Sequence, residues 1–271
     1  MRRFLGTAAL LSAVLAAVFV PAASADLVGP ITFESPHYTA GDINGQQGWS
    51  KTGPYDVAVA PTAGFPGAKP SFLFGKQALR LSNAVTSGTF GDQTFSPALD
   101  EQAGESLRNR EFDMGFLIST TQTTQQPGLA MSVSPDQGNG SRMSYLRFED
   151  QADGVHVFFD DVTDHGPLGT TADFNETDIA TMRRGVAHLI LMTVDFKPGP
   201  HNDRVNVYID GRREASGTTW EDYYRYDPEQ AGNGNQVPTV DDLELREGGA
   251  PAPPNFGQGF LVDALTYASL R

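Results

Sequence analysis

Phe112-Asp113-Met114-Gly115-Phe116-Leu117-Ile118 puts Phe112, Met114, Phe116 and Ile118 on one side of the chain and Asp113, Gly115 and Leu117 on the other. A two-residue repeat belongs to an extended backbone, whose successive side chains point to opposite faces, so the stretch reads as a strand with one face in a core. The repeat recurs elsewhere. Val205, Val207 and Ile209 alternate with Asn206, Tyr208 and Asp210. Asp210-Gly211 follows at once and supplies the positive φ angles that a type I′ hairpin turn needs. Arg142 to Phe148 reads as a strand, Asp150 to Gly154 as a turn, and Val155 to Phe159 as the returning partner. Ala187 to Phe196 is nearly continuous apolar, which predicts a central strand buried on both faces. Leu243 and Leu245 alternate with Asp242, Glu244 and Arg246, and Phe260 to Tyr267 forms the last strand.

Helical spacing is scarce. Thr177 to Arg184 has room for one or two turns, and Glu221 to Tyr226 for another. Thr121 to Gly140 reads as strand edges or a long loop, and Glu247 to Gly259 as a loop. The chain has 29 Gly and 18 Pro, a composition that suits many short strands joined by turns. The expected fold class is all-β, a two-sheet antiparallel sandwich.

The ends add a second kind of information. Arg2 and Arg3 precede an apolar run from Phe4 to Val20, Pro21 breaks it, and Ala23-Ser24-Ala25 offers a small-x-small cleavage pattern. This order predicts a signal peptide over residues 1–25, removed on export, rather than a membrane anchor, and a secreted, extracellular mature chain. Residues 26–271 are then expected to form one domain, large enough to bury a core without staples. The chain has no cysteine, so neither a disulfide nor a lipid-bearing thiol is available. The formal charge is −14, and −16 once Arg2 and Arg3 are removed. That acidity argues against nucleic acid or an anionic membrane surface as a partner.

Hydrolytic motifs are missing. No Gly-x-Ser-x-Gly elbow and no His-Glu-x-x-His pair occurs, and Gly232-Asn233-Gly234 lacks the lysine and helix of a phosphate loop. The five histidines, His37, His156, His165, His188 and His201, have no zinc-like spacing. Asp242 and Glu244 share a strand face with Arg246, a cation expected to lower carboxylate pKa values, so this face reads as solvated and acidic. Tyr145 and Arg147 share another face, with His156 placed to meet them across the hairpin as a sugar contact. Trp220, Tyr223 and Tyr224 are the densest aromatic cluster. They read either as platforms for pyranose rings or as a plug at one end of the sandwich. Glu34 follows the apolar Ile31-Thr32-Phe33, and Asp263 lies within Phe260-Leu261-Val262-Asp263-Ala264-Leu265. An acid in a buried strand needs a partner, and with few basic residues nearby a calcium ion shared with backbone carbonyls is a reasonable one.

Several of these segments resemble secreted bacterial proteins with a concanavalin A-like, or laminin G-like, jelly roll, of an actinobacterial exported type. They are Phe33-Glu34, Gly45-Gln46-Gln47-Gly48-Trp49, Val207-Tyr208-Ile209-Asp210-Gly211, Trp220-Glu221-Asp222-Tyr223-Tyr224 and Gly259-Phe260-Leu261-Val262-Asp263. The resemblance implies a jelly roll, a structural calcium held between Glu34 and Asp263, and carbohydrate binding on the concave sheet. It departs at Ala264, where such proteins commonly carry Asn or Asp, and the Glu-x-Asp-x-x-Glu of related glucanases has no match. The functional expectation is a non-catalytic module for a polysaccharide or cell-surface glycan. The alternatives are a polysaccharide lyase or glycosidase, and a structural envelope protein.

Overall fold

The computed structural model describes residues 26–68, 71–87, 92–99, 110–138, 140–162, 169, 171, 173–230 and 240–270, without the side chains of 71 and 72. The predicted signal peptide and His165 lie outside the described residues. The chain opens with β1 (Asp26–Ile31), β2 (Gly41–Asp42), β3 (Ser50–Lys51), β4 (Val57–Pro61), the short helix α1 (Ser71–Phe74), β5 (Gln77–Leu81) and β6 (Thr94–Phe95). The middle carries β7 (Glu111–Thr120), β8 (Ala130–Asp136), β9 (Leu146–Asp150), β10 (Val155–Val162), β11 (Phe174–Met182) and β12 (His188–Asp195). It ends with β13 (Arg204–Ile209), β14 (Arg212–Gly217), α2 (Glu221–Tyr226), β15 (Asp242–Gly248) and β16 (Phe260–Leu270).

Among the described residues these strands make two antiparallel sheets. One runs β14-β13-β12-β7-β16-β5-β4-β2, with β1 also paired to β16, and the other runs β11-β10-β9-β8-β15-β6-β3. The fold is the expected jelly-roll sandwich. Its larger core cluster is drawn from both sheets, with Phe112, Met114, Phe116 and Ile118 facing Leu146, Phe148, Val157, Leu243 and Leu245, and a smaller one of Ala68, Phe74, Ala78, Leu117 and Leu261 lies on the other side of β7 and β16. Apolar area removed from water at about 25 cal/mol per Å² makes this shared layer the main favourable contribution to the fold.

Local chemistry explains the turns. Asp210 and Gly211 have φ of 53° and 81°, the two positive values of the predicted hairpin turn. In α2, Glu221 and Asp222 occupy the first turn and Arg225 the last, the arrangement that complements the helix dipole.

Three expectations are corrected. Residues 177–182 extend β11 at a sheet edge: pairing with β10 over Val155–Val162 satisfies the backbone of a segment whose weak helical spacing had no core to face. β12 is buried on one face only, because Leu189, Leu191 and Thr193 lie half-buried on the outer side. The strand expected from Arg142 begins only at Leu146, and Arg142 makes a single bridge to Asp136.

Candidate functional site

β8 and β15 lie side by side near the middle of the seven-stranded sheet, and their register decides what its outer face presents. Asp242 is paired with Asp136, Glu244 with Ser134 and Arg246 with Ser132. The intervening Met131, Val133, Leu243 and Leu245 point into the core, so the six polar residues share the outer face. This face is not solvated. Ser134 and Asp136 are 0 % exposed, Glu244 1 % and Asp242 5 %. The bland acidic face expected from sequence is therefore corrected: the acids form the floor of a covered site.

The residues above them are partly exposed. Arg142 is brought over the floor by its bridge to Asp136 and places its Nε 3.8 Å from Glu244 Oε2. Arg246 Nε stands 3.9 Å from Glu244 Oε1. The Gln93 side chain lies alongside the same carboxyl. Neither oxygen of Glu244 has a partner of full hydrogen-bond geometry, and the same holds for Asp242 Oδ1, Ser134 Oγ and Ser144 Oγ. Buried polar atoms in native proteins normally have partners, so the unmet donors and acceptors of this face, which are among several such groups in the described residues, leave it able to take a polar ligand.

Burial dominates the electrostatics. Loss of water pushes Glu244 up to about 7; Asp136 pushes the same way, while Arg142 and Arg246 pull it down. Asp242 is pushed up to about 8 by burial and then by Asp136, Asp241 and Glu244. Asp160, on β10, rises to about 6 through burial and the nearby Glu176. The sequence reading gave Arg246 the decisive role over these acids; desolvation outweighs it, because a charge taken out of water costs more than a cation 3.9 Å away returns.

The residues singled out from sequence do not fall in one place. Tyr145 belongs to the site: it is largely buried beside Trp220, at 6.0 Å between ring centroids, with the Arg142 guanidinium 5.7 Å from its ring. Arg147 lies farther out on the same face, held by Glu149 and Glu176 and stacked 4.0 Å over Phe158. His156 pairs across the hairpin with Glu149, not with Tyr145 or Arg147, and bridges Asp153 at 2.8 Å and Asp178 at 2.6 Å. Asp178 first and Asp153 second raise its pKa.

Trp220 and Tyr224 are buried, at 6 % and 8 % exposure, so they are not open platforms. Trp220 is packed edge-on by Phe174 and Tyr223 and donates its indole N–H to the Asp160 carbonyl at 3.2 Å. Tyr223 is half-buried and bonds to Glu229 and Gln230.

Glu34 and Asp263 meet at the other sheet. β1 pairs with β16, which brings the chain ends together. Glu34 sits in the turn after β1 rather than in a strand, and its Oε1 accepts the Lys76 and Gln77 amides at 2.6 and 3.1 Å. Asp263 is 3 % exposed and accepts the Ala264 amide at 2.7 Å. Its pKa is raised well above the usual carboxylate range by burial, with Glu34 adding repulsion. A buried carboxyl repelled by a half-buried one suits a hard cation. The described residues hold no group of three or more His, Asp or Glu side chains around one point, so most of a six- to eight-oxygen calcium shell would come from backbone carbonyls and water.

Sequence reading missed Asp136, Arg142, Gln93 and Asp160. Ser132, Ser134 and Asp136 alternate with Met131 and Val133, so the two-residue repeat was present within the stretch read as an edge or loop. Nothing in the sequence signals that Arg142 folds back over Glu244.

No protein-family model matches the chain, and no curated protein does. Similar solved structures include the carbohydrate recognition domain of Emp47p (TM-score 0.44, 9 % identity, 90 % of this chain and 97 % of that one). Two others are an endo-β-1,4-glucuronan lyase from the fungus Trichoderma reesei (0.44, 14 %, 86 % and 94 %) and a carbohydrate esterase from the Shiga toxin-encoding bacteriophage phi24B (0.43, 14 %, 83 % and 91 %).

Proposed function

We propose that this chain is an exported, non-catalytic carbohydrate-binding domain for a polysaccharide or cell-surface glycan, with its site on the outer face of the seven-stranded sheet around Glu244. The observation that carries the reading is the buried acid floor, with its unmet oxygens, beneath a mostly buried rim of Gln93, Arg142, Tyr145, Arg246 and Asp160 that reaches the surface only in part. A polyhydroxylated ligand brings both donors and acceptors to such a rim, and the flat guanidinium and phenol groups match the apolar faces of sugar rings. Export is supported by the order of charges, apolar run and small residues over 1–25. A structural calcium at Glu34 and Asp263 belongs to the same proposal.

The chain recovered from culture supernatant should begin Asp26-Leu27-Val28 and be retained on at least one member of a panel of neutral, acidic and amino polysaccharides. Arg246→Ala and Tyr145→Ala should each weaken that retention by about 5- to 150-fold, a loss of about 1–3 kcal/mol at an interface contact, with the fold intact. Retention on none of the panel, or variants that bind like wild type, sinks the reading.

A second reading, glycan cleavage, is favoured by one observation. Glu244 titrates near neutrality, where a carboxyl can give a proton to a leaving oxygen. Release of reducing ends or unsaturated sugars by the wild type, lost in Glu244→Gln, would replace the non-catalytic reading with this one.

A further inference from the structure

The segment from Trp220 to Tyr226 is the most conspicuous aromatic block in the sequence, yet its Trp220 and Tyr224 rings are buried beside the candidate site. What it touches there is specific. Tyr224 donates its hydroxyl to the Arg142 carbonyl at 2.8 Å. The Trp220 backbone N–H donates to the Met143 carbonyl at 3.0 Å, and the Arg142 guanidinium lies 5.1 Å from the Trp220 ring. The same guanidinium is the cation whose Nε stands 3.8 Å from Glu244.

We propose that Trp220 and Tyr224 are positioning residues that hold the Arg142 guanidinium against Glu244. Arg142 lies outside any strand, and an isolated bridge to Asp136 ties its backbone to the sheet. A long side chain on such a segment has many rotamers, and holding it in one costs entropy. A hydroxyl on its carbonyl, an amide on the next carbonyl and a ring face beneath its guanidinium fix the backbone and the side chain together. The ring also makes a favourable cation–π contact. The block is thereby neither a sugar platform nor only a plug. What the fixed arginine is for rests on the reading of the site as a glycan seat; how it is fixed does not.

The test reads the protonation of Glu244 directly. The groups facing this carboxyl are Asp136 from β8, Gln93 from the segment before β6, Asp242 and Arg246 from β15, the Tyr224 hydroxyl from α2, and Arg142. Of these, Arg142 contacts the aromatic block, at Trp220 and through the Tyr224 hydroxyl. In protein carrying carbon-13 at glutamate carboxyls, the resonance lost in Glu244→Gln identifies the group, and its midpoint is tracked from pH 5 to 9. Arg142→Met should raise the midpoint by more than about half a pH unit, since a nearby cation favours the charged form. Arg142→Lys should raise it less.

Tyr224→Phe and Trp220→Leu should raise the midpoint in the same direction, and should raise it no further once Arg142 is Met. If Trp220→Leu does not fold, Tyr224→Phe, which keeps its ring, carries the test alone. A midpoint unmoved by Arg142→Met, or one that Tyr224→Phe shifts equally with and without Arg142, overturns the proposal. The readout needs no glycan, so an empty polysaccharide panel and a failed titration are separate results.

Discussion

Glu244 and Asp242 keep their protons at pH values where a carboxyl in water has lost them, so folding is linked to proton uptake with a definite sign. Their folded pKa values, about 7 and about 8, lie above the unfolded ones. Stability from the protonated forms is therefore fully present below about pH 4 and is lost as the pH climbs through the folded values. Glu244→Gln and Asp242→Asn remove a charge that the floor cannot solvate. Each variant should melt above the wild type at pH 8, and the advantage should fade by pH 4. A wild-type melting temperature flat between pH 4 and 8, or variants that melt lower at pH 8, would mean that these acids are ionised and paired in the native protein. The sequence made both acids visible and even put them on one face. It could not show their burial, because that depends on Arg142 and Tyr145 folding back from outside the strand.

At the scale of elements, the two-residue repeat was legible in β7, β13 and β15, but it was missed in β8 and hidden in β12 by apolar residues on the outer face. It failed at β11, an edge strand whose residues are largely exposed, where no burial pattern exists to be read. Glycines at the turns separate two costs that look alike in sequence. Gly211, with φ +81°, has nothing within 4 Å of an added Cβ, whereas Gly259, with φ +118°, would place that Cβ 1.9 Å from the Leu81 carbonyl oxygen. Gly211→Ala should therefore cost only the conformational term, about 1–2 kcal/mol. Gly259→Ala adds a backbone clash between β16 and β5 and should cost more than about 4 kcal/mol or prevent cooperative folding. Equal melting shifts for the two variants would contradict this division.

At the scale of the whole molecule, the question is what fastens the ends of the chain. β1 lies off the main path of the nine-stranded sheet and is held to β16 with a register shift between Val28 and Ile31. Terminal strands fray first unless tied down. Glu34, just after β1, and Asp263, within β16, converge there as two carboxyls, one of them buried and repelled by the other. The sequence placed the acids at opposite ends, and the resemblance to jelly rolls supplied their meeting; Glu34's hydrogen bonds to the Lys76 and Gln77 amides were legible in neither.

A bound calcium converts the repulsion into attraction, and calcium at a hundredfold above its dissociation constant adds about 2.7 kcal/mol of stability. For a chain of this length that corresponds to a melting shift of about 5–10 °C. Chelator should lower the melting temperature of the wild type by that amount, and added calcium should restore it. Asp263→Asn gives the sharper contrast. Without metal it spares the fold the proton uptake that burial forces on this carboxyl and should melt at or above the chelated wild type; with calcium it should melt below the loaded wild type and show no response. Indifference of the wild type to chelator, with no metal found by elemental analysis, would leave Glu34 as a backbone-capping side chain and Asp263 as a protonated strand residue.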